Sequence, residues 1–307
     1  MIKTILASIA MTGMLGIAQE KIPVQMTVTV EGTHGQSAPD LKREDVMVFQ
    51  GKQRLPVTEW TPLTGDQAGL EMFILIDDAS ATSLGMQLAD LRDFINSQPS
   101  SALIGVGYIR YDVADIVQNL TTDHVKAANA LRLPFGWSAV GASPYLALTD
   151  LLRKWPTCCV RREVVLVSSG VDPLGGIGPS NPYVDVAIEH AQRAGVVVYS
   201  LYAPRAGHAG HSVFQMNWGQ NYLGQVSDET GGESYMLGFG PPVSFAPYLR
   251  EVAEHLKHQY SVTFLASARA RPGMVPVRIT TEVPNAEIIA APKFYLELAP
   301  PTGEDRQ

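Results

Sequence analysis

Hydrophobic residues occur along the chain in two patterns, apolar runs and stripes with helical spacing. Apolar runs, interrupted only by glycine or serine, lie at 73–76, 104–109, 164–167 and 196–201, and they are typical of strands buried on both faces of a parallel sheet. Between them and after them, four apolar stripes begin at Leu88, Leu148, Val184 and Leu249. Strands alternating with helices indicate βαβ units, so we predict an α/β fold, a doubly wound and mostly parallel sheet with helices on both faces.

Both ends of the chain show the two-residue period of half-buried strands. Apolar and polar residues alternate at 24–30, further strands are predicted at 46–49 and 55–60, and the alternation returns at Val277, Ile279 and 294–298. Because each flank has too few strands for its own core, we predict that the two flanks pair into one small β module. The predicted divisions are a signal peptide at 1–18, an N-terminal β segment at 19–66, the α/β domain at 67–259, a C-terminal β segment at 260–299 and a tail at 300–307.

The first residues have the features of an export signal. Lys3 is the positive residue, 5–17 is apolar and rich in small side chains, and Gly16 and Ala18 occupy the small-residue cleavage positions. We predict cleavage after Ala18 and export to the periplasm or the extracellular space, a retained anchor being the alternative. Because no later segment offers about 20 consecutive apolar residues, we expect no membrane span in the mature chain.

Composition narrows the classes of partner. The 307 residues are 46% hydrophobic, and 23 basic against 30 acidic residues give a formal charge of -7 without any basic run. Nucleic acid and anionic lipid surfaces are therefore not expected as partners. The only two cysteines, Cys158 and Cys159, are adjacent and cannot join distant segments, so we expect two inert thiols or a vicinal bridge.

Several common catalytic and metal motifs are absent. The sequence has no Gly-x-Ser-x-Gly elbow, no His-Glu-x-x-His and no Gly-Lys-Ser/Thr phosphate loop. His208 with His211, and His255 with His258, have a spacing that metal ligands use, but neither pair has a cysteine or a third histidine nearby. A zinc site is not predicted.

Oxygen-bearing side chains follow the first buried run. Asp78, Ser80 and Thr82 come directly after it, at the strand end where ligands bind in open α/β sheets. Oxygen ligands suit a hard cation such as Mg²⁺, and the alternate spacing directs the three side chains towards one centre. The alternative is a helix N-cap, since the same residue types are preferred there.

Read together, three strand-end loops resemble the metal-site loops of the von Willebrand factor type A domain. That family has Asp-x-Ser-x-Ser in the first loop, Gly-x-Thr in the second and Asp-Gly in the third. The corresponding segments here are Asp78-Ala79-Ser80-Ala81-Thr82, Gly141-Ala142-Ser143 and Ser169-Gly170. The resemblance covers roughly 70–260, and the flanks resemble those of a secreted bacterial subfamily related to this domain.

The resemblance implies a metal-ion-dependent adhesion site in a degenerate form. Its ligands would be Asp78, Ser80, Thr82 and Ser143, with Ser169 a weak substitute where the family has a second carboxylate. Because divalent affinity depends on carboxylate count, we expect Mg²⁺, the candidate ion, to be held at low occupancy. Asp77 and Asp172 are alternates, although a site starting at Asp77 would place alanines at both hydroxyl positions. A vestigial site that binds no metal is the other interpretation.

The resemblance also implies a function, that of a non-enzymatic module that binds an unidentified protein partner in adhesion or scaffolding. One alternative is a structural or assembly subunit of the cell envelope without any metal function. Another is an exported serine hydrolase, which would use Ser143 or Ser169 with His208 or His211, but no spacing in the sequence demonstrates the hydrogen bonds that it needs. The partner and the oligomeric state are left open.

Overall fold

The structure, a computed structural model, describes residues 21–64, 69–136, 141–155, 161–176, 178–207, 212–269 and 271–297. Several predictions fall on residues outside these ranges, namely the signal peptide at 1–18, Cys158, Cys159, His208, His211 and the tail at 300–307.

A six-stranded sheet forms the centre of the molecule. Its strand order is β7-β6-β5-β8-β9-β10, and every neighbouring pair is parallel except β6 with β7. All residues of β5 and β8 are buried, as their unbroken apolar runs predict. The strands are β5 (Leu70–Asp77), β6 (Leu103–Arg110), β7 (Val113–Thr121), β8 (Arg161–Ser168), β9 (Val196–Tyr202) and β10 (Ser234–Tyr235).

Helices cover both faces of this sheet and enclose a hydrophobic core on each. One core contains side chains of α1 (Leu88–Asn96), α2 (His124–Asn129) and α6 (Ala246–Lys257). The other contains side chains of α3 (Pro144–Lys154), α4 (Pro182–Ala194) and α5 (Val213–Thr230). The predicted doubly wound fold is therefore confirmed. Among the described helices, none is both long and apolar enough to cross a membrane.

The flanks of the chain form a β module with its own core. One sheet has the order β14-β1-β11-β4, a second β13-β2-β3, and a third pairs β12 with β15. Since β1 pairs with β11 along nine residues, the two flanks share one sheet, as predicted. The strands are β1 (Lys21–Gly32), β2 (Val46–Gln50), β3 (Gln53–Leu55), β4 (Val57–Pro62), β11 (Gln259–Ser267), β12 (Gly273–Pro276), β13 (Arg278–Thr281), β14 (Ala286–Ala290) and β15 (Lys293–Leu296).

The two ends of the parallel strands in the central sheet have different neighbours. At the carboxyl ends of the parallel strands, the following loops come together, and we call this surface the rim. The amino ends of these strands adjoin the β module. There Nη1 of Arg161, at the start of β8, donates to Oε1 of Gln259, at the start of β11, over 2.7 Å. We call the boundary between the α/β domain and the β module the seam.

Candidate functional site

The three predicted loops meet at the rim. The hydroxyl of Tyr145, which follows the second loop, donates to the carbonyl oxygen of Gly170 in the third over 2.8 Å. The loop after β9 completes the arrangement, because its Ala206 amide donates to the Ala79 carbonyl of the first loop over 2.8 Å. Loops far apart in the chain are thus joined by direct hydrogen bonds.

Asp77 lies beneath this surface at the end of β5. Its carboxylate is fully buried and accepts hydrogen bonds from the amide of Ala79 at 2.9 Å and from the hydroxyl of Ser168 at 3.0 Å. Burial raises the pKa of Asp77, and the charge of Arg205, 3.9 Å away, opposes that rise. The carboxylate therefore holds the first and third loops together below the rim.

Arg205 brings a positive charge into the middle of the loops. Its side chain is 1% exposed, and Nη2 donates to the carbonyl oxygen of Ala142 in the second loop over 2.8 Å. Arg205 also forms an isolated β-bridge with Ser80, and two buried polar atoms of this pair, Nε of Arg205 and Oγ of Ser80, have no hydrogen-bond partner among the described residues. Buried polar atoms of this kind are commonly satisfied by ordered water.

Asp78 contacts a different set of cations. Arg132 forms two hydrogen bonds to its carboxylate, from Nη1 at 2.6 Å and from Nη2 at 2.9 Å. Nε of Arg110 lies 3.4 Å from the same carboxylate, and the amide of Phe135 donates to it over 3.0 Å. The fully buried carboxylate is thus neutralised by two guanidinium groups, each about one-third exposed.

Aromatic rings hold both of these guanidinium groups. The centre of the Arg132 guanidinium lies 3.8 Å from the ring centroid of Tyr108 and 4.2 Å from that of Phe135. The Arg110 guanidinium lies 4.9 Å from the Phe135 ring and 5.6 Å from the Tyr111 ring. Cation–π contacts and charged hydrogen bonds together fix the arginines in place. The hydrogen bond to Asp78 raises the pKa of Arg132.

The other predicted ligands take part in local backbone contacts. Ser143 caps α3, and its buried hydroxyl accepts from the amide of Leu146 at 3.4 Å. The hydroxyl of Ser169 accepts from the amide of Val171 at 3.3 Å. Asp172 accepts from the amide of Leu174 and from the side chain of Asn181, both at 2.9 Å. Thr82 is exposed at the start of a short 3₁₀ helix.

This arrangement does not fit a bound Mg²⁺. A divalent ion would have to displace a guanidinium group from Asp77 or Asp78, or the hydrogen bonds that hold Asp172. Among the predicted ligands, only Ser80 offers a buried oxygen without a partner in the described structure, and a neutral hydroxyl alone is a poor ligand for a hard cation. The guanidinium groups already supply the positive charge that a metal would supply.

One group of metal-ligating side chain types lies elsewhere in the part of the chain that the structure describes, at the seam. Atoms of Glu31, Glu233 and His255 lie within 4.8 Å of one another. Nε2 of His255 is 2.9 Å from Glu31 and 3.6 Å from Glu233. Burial lowers the pKa of His255, but the hydrogen bond and charge of Glu31 and the charge of Glu233 raise it more, so the net shift is upward. The contacts of His255 with the two carboxylates account for this group without a metal.

A strained hairpin projects from the rim. Tyr111 and Asp112 form the two-residue turn between β6 and β7, and both have positive φ angles, 49° and 64°. Such turns normally use Asn or Gly, and a bulky residue in this conformation is an outlier that functional sites often retain. The Asp112 carboxylate accepts from the amide of Ser143 at 2.6 Å, while the Tyr111 side chain is 79% exposed.

Comparison with known proteins finds similar folds only. No protein-family model matches the chain, and no curated protein matches it. An aerotolerance-related membrane protein from Bacteroides fragilis is 14% identical with a TM-score of 0.45, over 61% of this chain and 98% of that one. BatB from Bacteroides thetaiotaomicron is 13% identical with a TM-score of 0.45, over 61% of this chain and 97% of that one. A von Willebrand factor type A protein from Catenulispora acidiphila is 11% identical with a TM-score of 0.45, over 83% of this chain and 76% of that one. All three are solved structures that this chain resembles at low sequence identity.

Proposed function

We propose that the chain is an exported, non-enzymatic binding module that captures a protein partner with its rim and needs no metal to do so. The observation that supports this most directly is the pairing of buried Asp78 with Arg132 and Arg110, whose guanidinium groups stack on Phe135 at the surface. Asp78 is the residue that the resemblance makes the first ligand of a metal, and here Arg132 and Arg110 balance its charge.

Exposed apolar side chains support a docking role for the rim. Among the large hydrophobic residues exposed in the described part of the chain, one group follows the carboxyl ends of the parallel strands, and another follows α2 beside Asp78. An exposed apolar surface with polar neighbours is typical of protein interaction sites. The members are Met86, Tyr111, Leu133, Phe135, Leu174, Phe214, Leu237 and Val243.

The residue types at the rim are those that contribute most to protein interfaces. Tyrosine and arginine are enriched among residues whose loss weakens a complex strongly, because they combine apolar area with directed hydrogen bonds. Here Arg110 and Arg132 are held by ring stacking before any partner arrives, so little side-chain freedom is lost on binding.

A depression beside the hairpin offers a place for a partner's side chain. It has a volume of about 360 Å³ and is lined by Arg110, Tyr111, Val113, Asp115 and Lys154, among others. A side chain entering this depression would meet the Tyr111 ring, two cationic groups and the Asp115 carboxylate.

Site-specific photo-crosslinking of the full chain in its native cells tests the docking role. A photoreactive residue at Tyr111 is expected to give a discrete crosslinked product, unchanged by a chelator, whereas one at exposed Lys52, in the turn between β2 and β3, is expected to give none. Phe135→Ala, which removes the ring beneath both guanidinium groups, is expected to weaken the product. Identical products at Tyr111 and Lys52 would contradict the proposal.

Calorimetry tests independence from metal. Titrating the full chain with Mg²⁺, Mn²⁺ and Ca²⁺ is expected to give no saturable heat in the millimolar range. Stoichiometric binding that Asp78→Asn abolishes would show instead that the predicted ligands hold a metal after rearrangement of the arginines.

Two further parts of the proposal need their own measurements. Export is proposed from the N-terminal segment alone, and the intact mass of the protein from an envelope fraction is expected to match cleavage after Ala18. The absence of catalysis is proposed from the sequence, and the hydroxyls of Ser143 and Ser169 accept hydrogen bonds from backbone amides. A fluorophosphonate probe is expected to leave both serines unlabelled, and labelling of either would favour the hydrolase.

A further inference from the structure

A cavity of about 290 Å³ lies at the seam, on the side of the central sheet opposite the rim. The β module contributes residues of β1 and β15, and the α/β domain contributes the start of β8 and the turn between α4 and β9. Its volume is near the lower end of the range for small-molecule sites, which commonly occur between domains.

The charge of the lining is one-sided. Four cations line the cavity, Arg161, Arg162, Arg193 and Lys293, and none of the described lining residues carries a carboxylate. The chain as a whole has a net charge of -7, so this concentration of positive charge runs against its composition. A concave surface with one sign of charge attracts ligands of the opposite sign.

The two inner arginines are held rigidly. Arg161 is 6% exposed, and its Nη1 donates to the carbonyl oxygen of Leu256 and to Oε1 of Gln259, both at 2.7 Å. Its Nε has no hydrogen-bond partner in the described structure. Arg162 is 5% exposed and donates to the carbonyl oxygen of Ala194. Because the oxygens that bind Arg161 are neutral, an added anion would stabilise its buried charge.

Glu163 and Glu229 do not cancel the charge of Arg161, Arg193 and Lys293. Burial raises the pKa of Glu163 to about 8, against the opposing charge of Arg161, so it is mostly protonated near neutral pH. Glu229 lies 3.4 Å from Lys293, but both side chains are partly exposed, and such surface pairs are weak.

The outer cations stand at the entrance. Arg193 is exposed and forms no ion pair among the described residues, and its guanidinium lies 4.3 Å from the ring centroid of Tyr295. The lining also includes apolar side chains, among them Met26, Leu63 and Phe294. From this combination we propose that the seam cavity binds a small organic polyanion, its carboxylate or phosphate groups on the arginines and its carbon skeleton against the apolar wall.

Calorimetric titration of the full chain tests this proposal with citrate and pyrophosphate as probes, at ionic strength matched with NaCl. At least one probe is expected to bind saturably in the millimolar range or tighter, and added salt is expected to weaken binding. Preference for citrate would assign a polycarboxylate, and preference for pyrophosphate a phosphorylated compound. Absence of saturable binding by both would overturn the proposal.

Matched variants locate the site. Arg193→Gln and Lys293→Gln, both changes of partly exposed side chains, are each expected to weaken binding about tenfold, the effect of one charge-assisted hydrogen bond. Arg250→Gln, an exposed change on α6 outside the lining, is expected to leave affinity unchanged. The photo-crosslink from Tyr111 is expected to be unchanged in the Arg193→Gln and Lys293→Gln variants, which separates this inference from the proposed function. Equal affinity in the Arg193, Lys293 and Arg250 variants would contradict a site in the cavity.

Discussion

The guanidinium of Arg205 lies 3.9 Å from the carboxylate of Asp77, and both side chains are almost completely buried. This arginine also binds a carbonyl of the second loop, so the chain carries its own cation at the meeting point of the three loops. A covalently attached cation remains in place whatever the supply of metal. We therefore expect the rim to keep its shape without an ion.

Replacing Arg205 with glutamine tests this role. Arg205→Gln leaves the buried carboxylate of Asp77 without its cation, and removal of one partner from a buried pair typically costs about 3 to 5 kcal/mol of unfolding free energy. We expect about 3 kcal/mol, since burial already raises the pKa of Asp77 and protonation limits the loss. Urea unfolding followed by circular dichroism gives the measurement.

The control for Arg205→Gln is a double variant. Asp77→Asn combined with Arg205→Gln strands neither charge, so it is expected to be more stable than Arg205→Gln alone. A double variant that is less stable by the sum of both single losses would show that the two residues act independently.

Much of the fold could be predicted because burial leaves a direct pattern in the sequence. The strands β5, β6, β8 and β9 have apolar runs with few interruptions, and α1, α3, α4 and α6 have clear apolar stripes. The edge strand β7 was not predicted because it is only partly buried, and α5 was not predicted because glycine, glutamine and asparagine interrupt its apolar face. The short elements α2 and β10 are too brief to show a period.

The candidate site was only partly accessible from sequence. The sequence analysis predicts Asp78, Ser143 and Ser169 at one rim because each follows a strand of the sheet or opens a helix. The prediction succeeds because the carboxyl ends of parallel strands lie at the same end of a sheet. The arginines that neutralise the carboxylates were missed, because Arg132 is 54 positions from Asp78 and follows no motif. The one sequence signal of an unusual charge balance at the rim is Ser169, which stands where the resemblance implies a second carboxylate.

A glycine in α5 allows the third loop to pack closely. A Cβ atom on Gly219 would lie 2.6 Å from the carbonyl oxygen of Ser169 and 2.9 Å from the amide nitrogen of Val171. Gly219→Ala is therefore expected to destabilise the fold by about 1 to 3 kcal/mol, although alanine is normally favoured within a helix. Thermal and urea unfolding measure the loss.

The same helix supplies a matched control for that substitution. A Cβ atom on Gly224 would meet only the hydroxyl of Ser234, at 3.6 Å, which is an ordinary contact. Gly224→Ala is expected to stabilise the protein by about 0.5 to 1 kcal/mol through helix propensity. Equal effects of the two substitutions would mean that the close approach to the third loop has no energetic weight.

The two flanks are joined by a stacked aromatic pair. The rings of Trp60, in β4, and Tyr260, in β11, have centroids 4.5 Å apart and planes inclined by 12°. A double-mutant cycle with Trp60→Leu and Tyr260→Leu is expected to give a coupling of about 0.5 to 1.5 kcal/mol. The hydrogen bond from Trp60 to the Leu41 carbonyl cancels in the cycle, because the single and the double variant that carry Trp60→Leu both lack it.

Additivity with a distant residue is the control for this cycle. Trp60→Leu combined with Tyr111→Leu at the rim should be additive within about 0.5 kcal/mol. A coupling near zero between the positions of Trp60 and Tyr260 would mean that the flanks are held together by other contacts.

Glu163 is expected to make stability depend on pH. Its pKa in the folded state is raised by burial from 4.5 to about 8, so folding favours the protonated acid. The contribution of Glu163 to the free energy of unfolding is fully present below its pKa in the unfolded state and is lost as pH rises through about 8. Relative to Glu163→Gln, which cannot ionise, the wild-type protein should therefore lose up to roughly 5 kcal/mol of unfolding free energy between about pH 5 and about pH 9.

Urea unfolding of both proteins across this range measures the difference, with exposed Glu297→Gln as the control that should track the wild type. Parallel pH profiles for wild type and Glu163→Gln would show that Glu163 titrates equally in the folded and unfolded states.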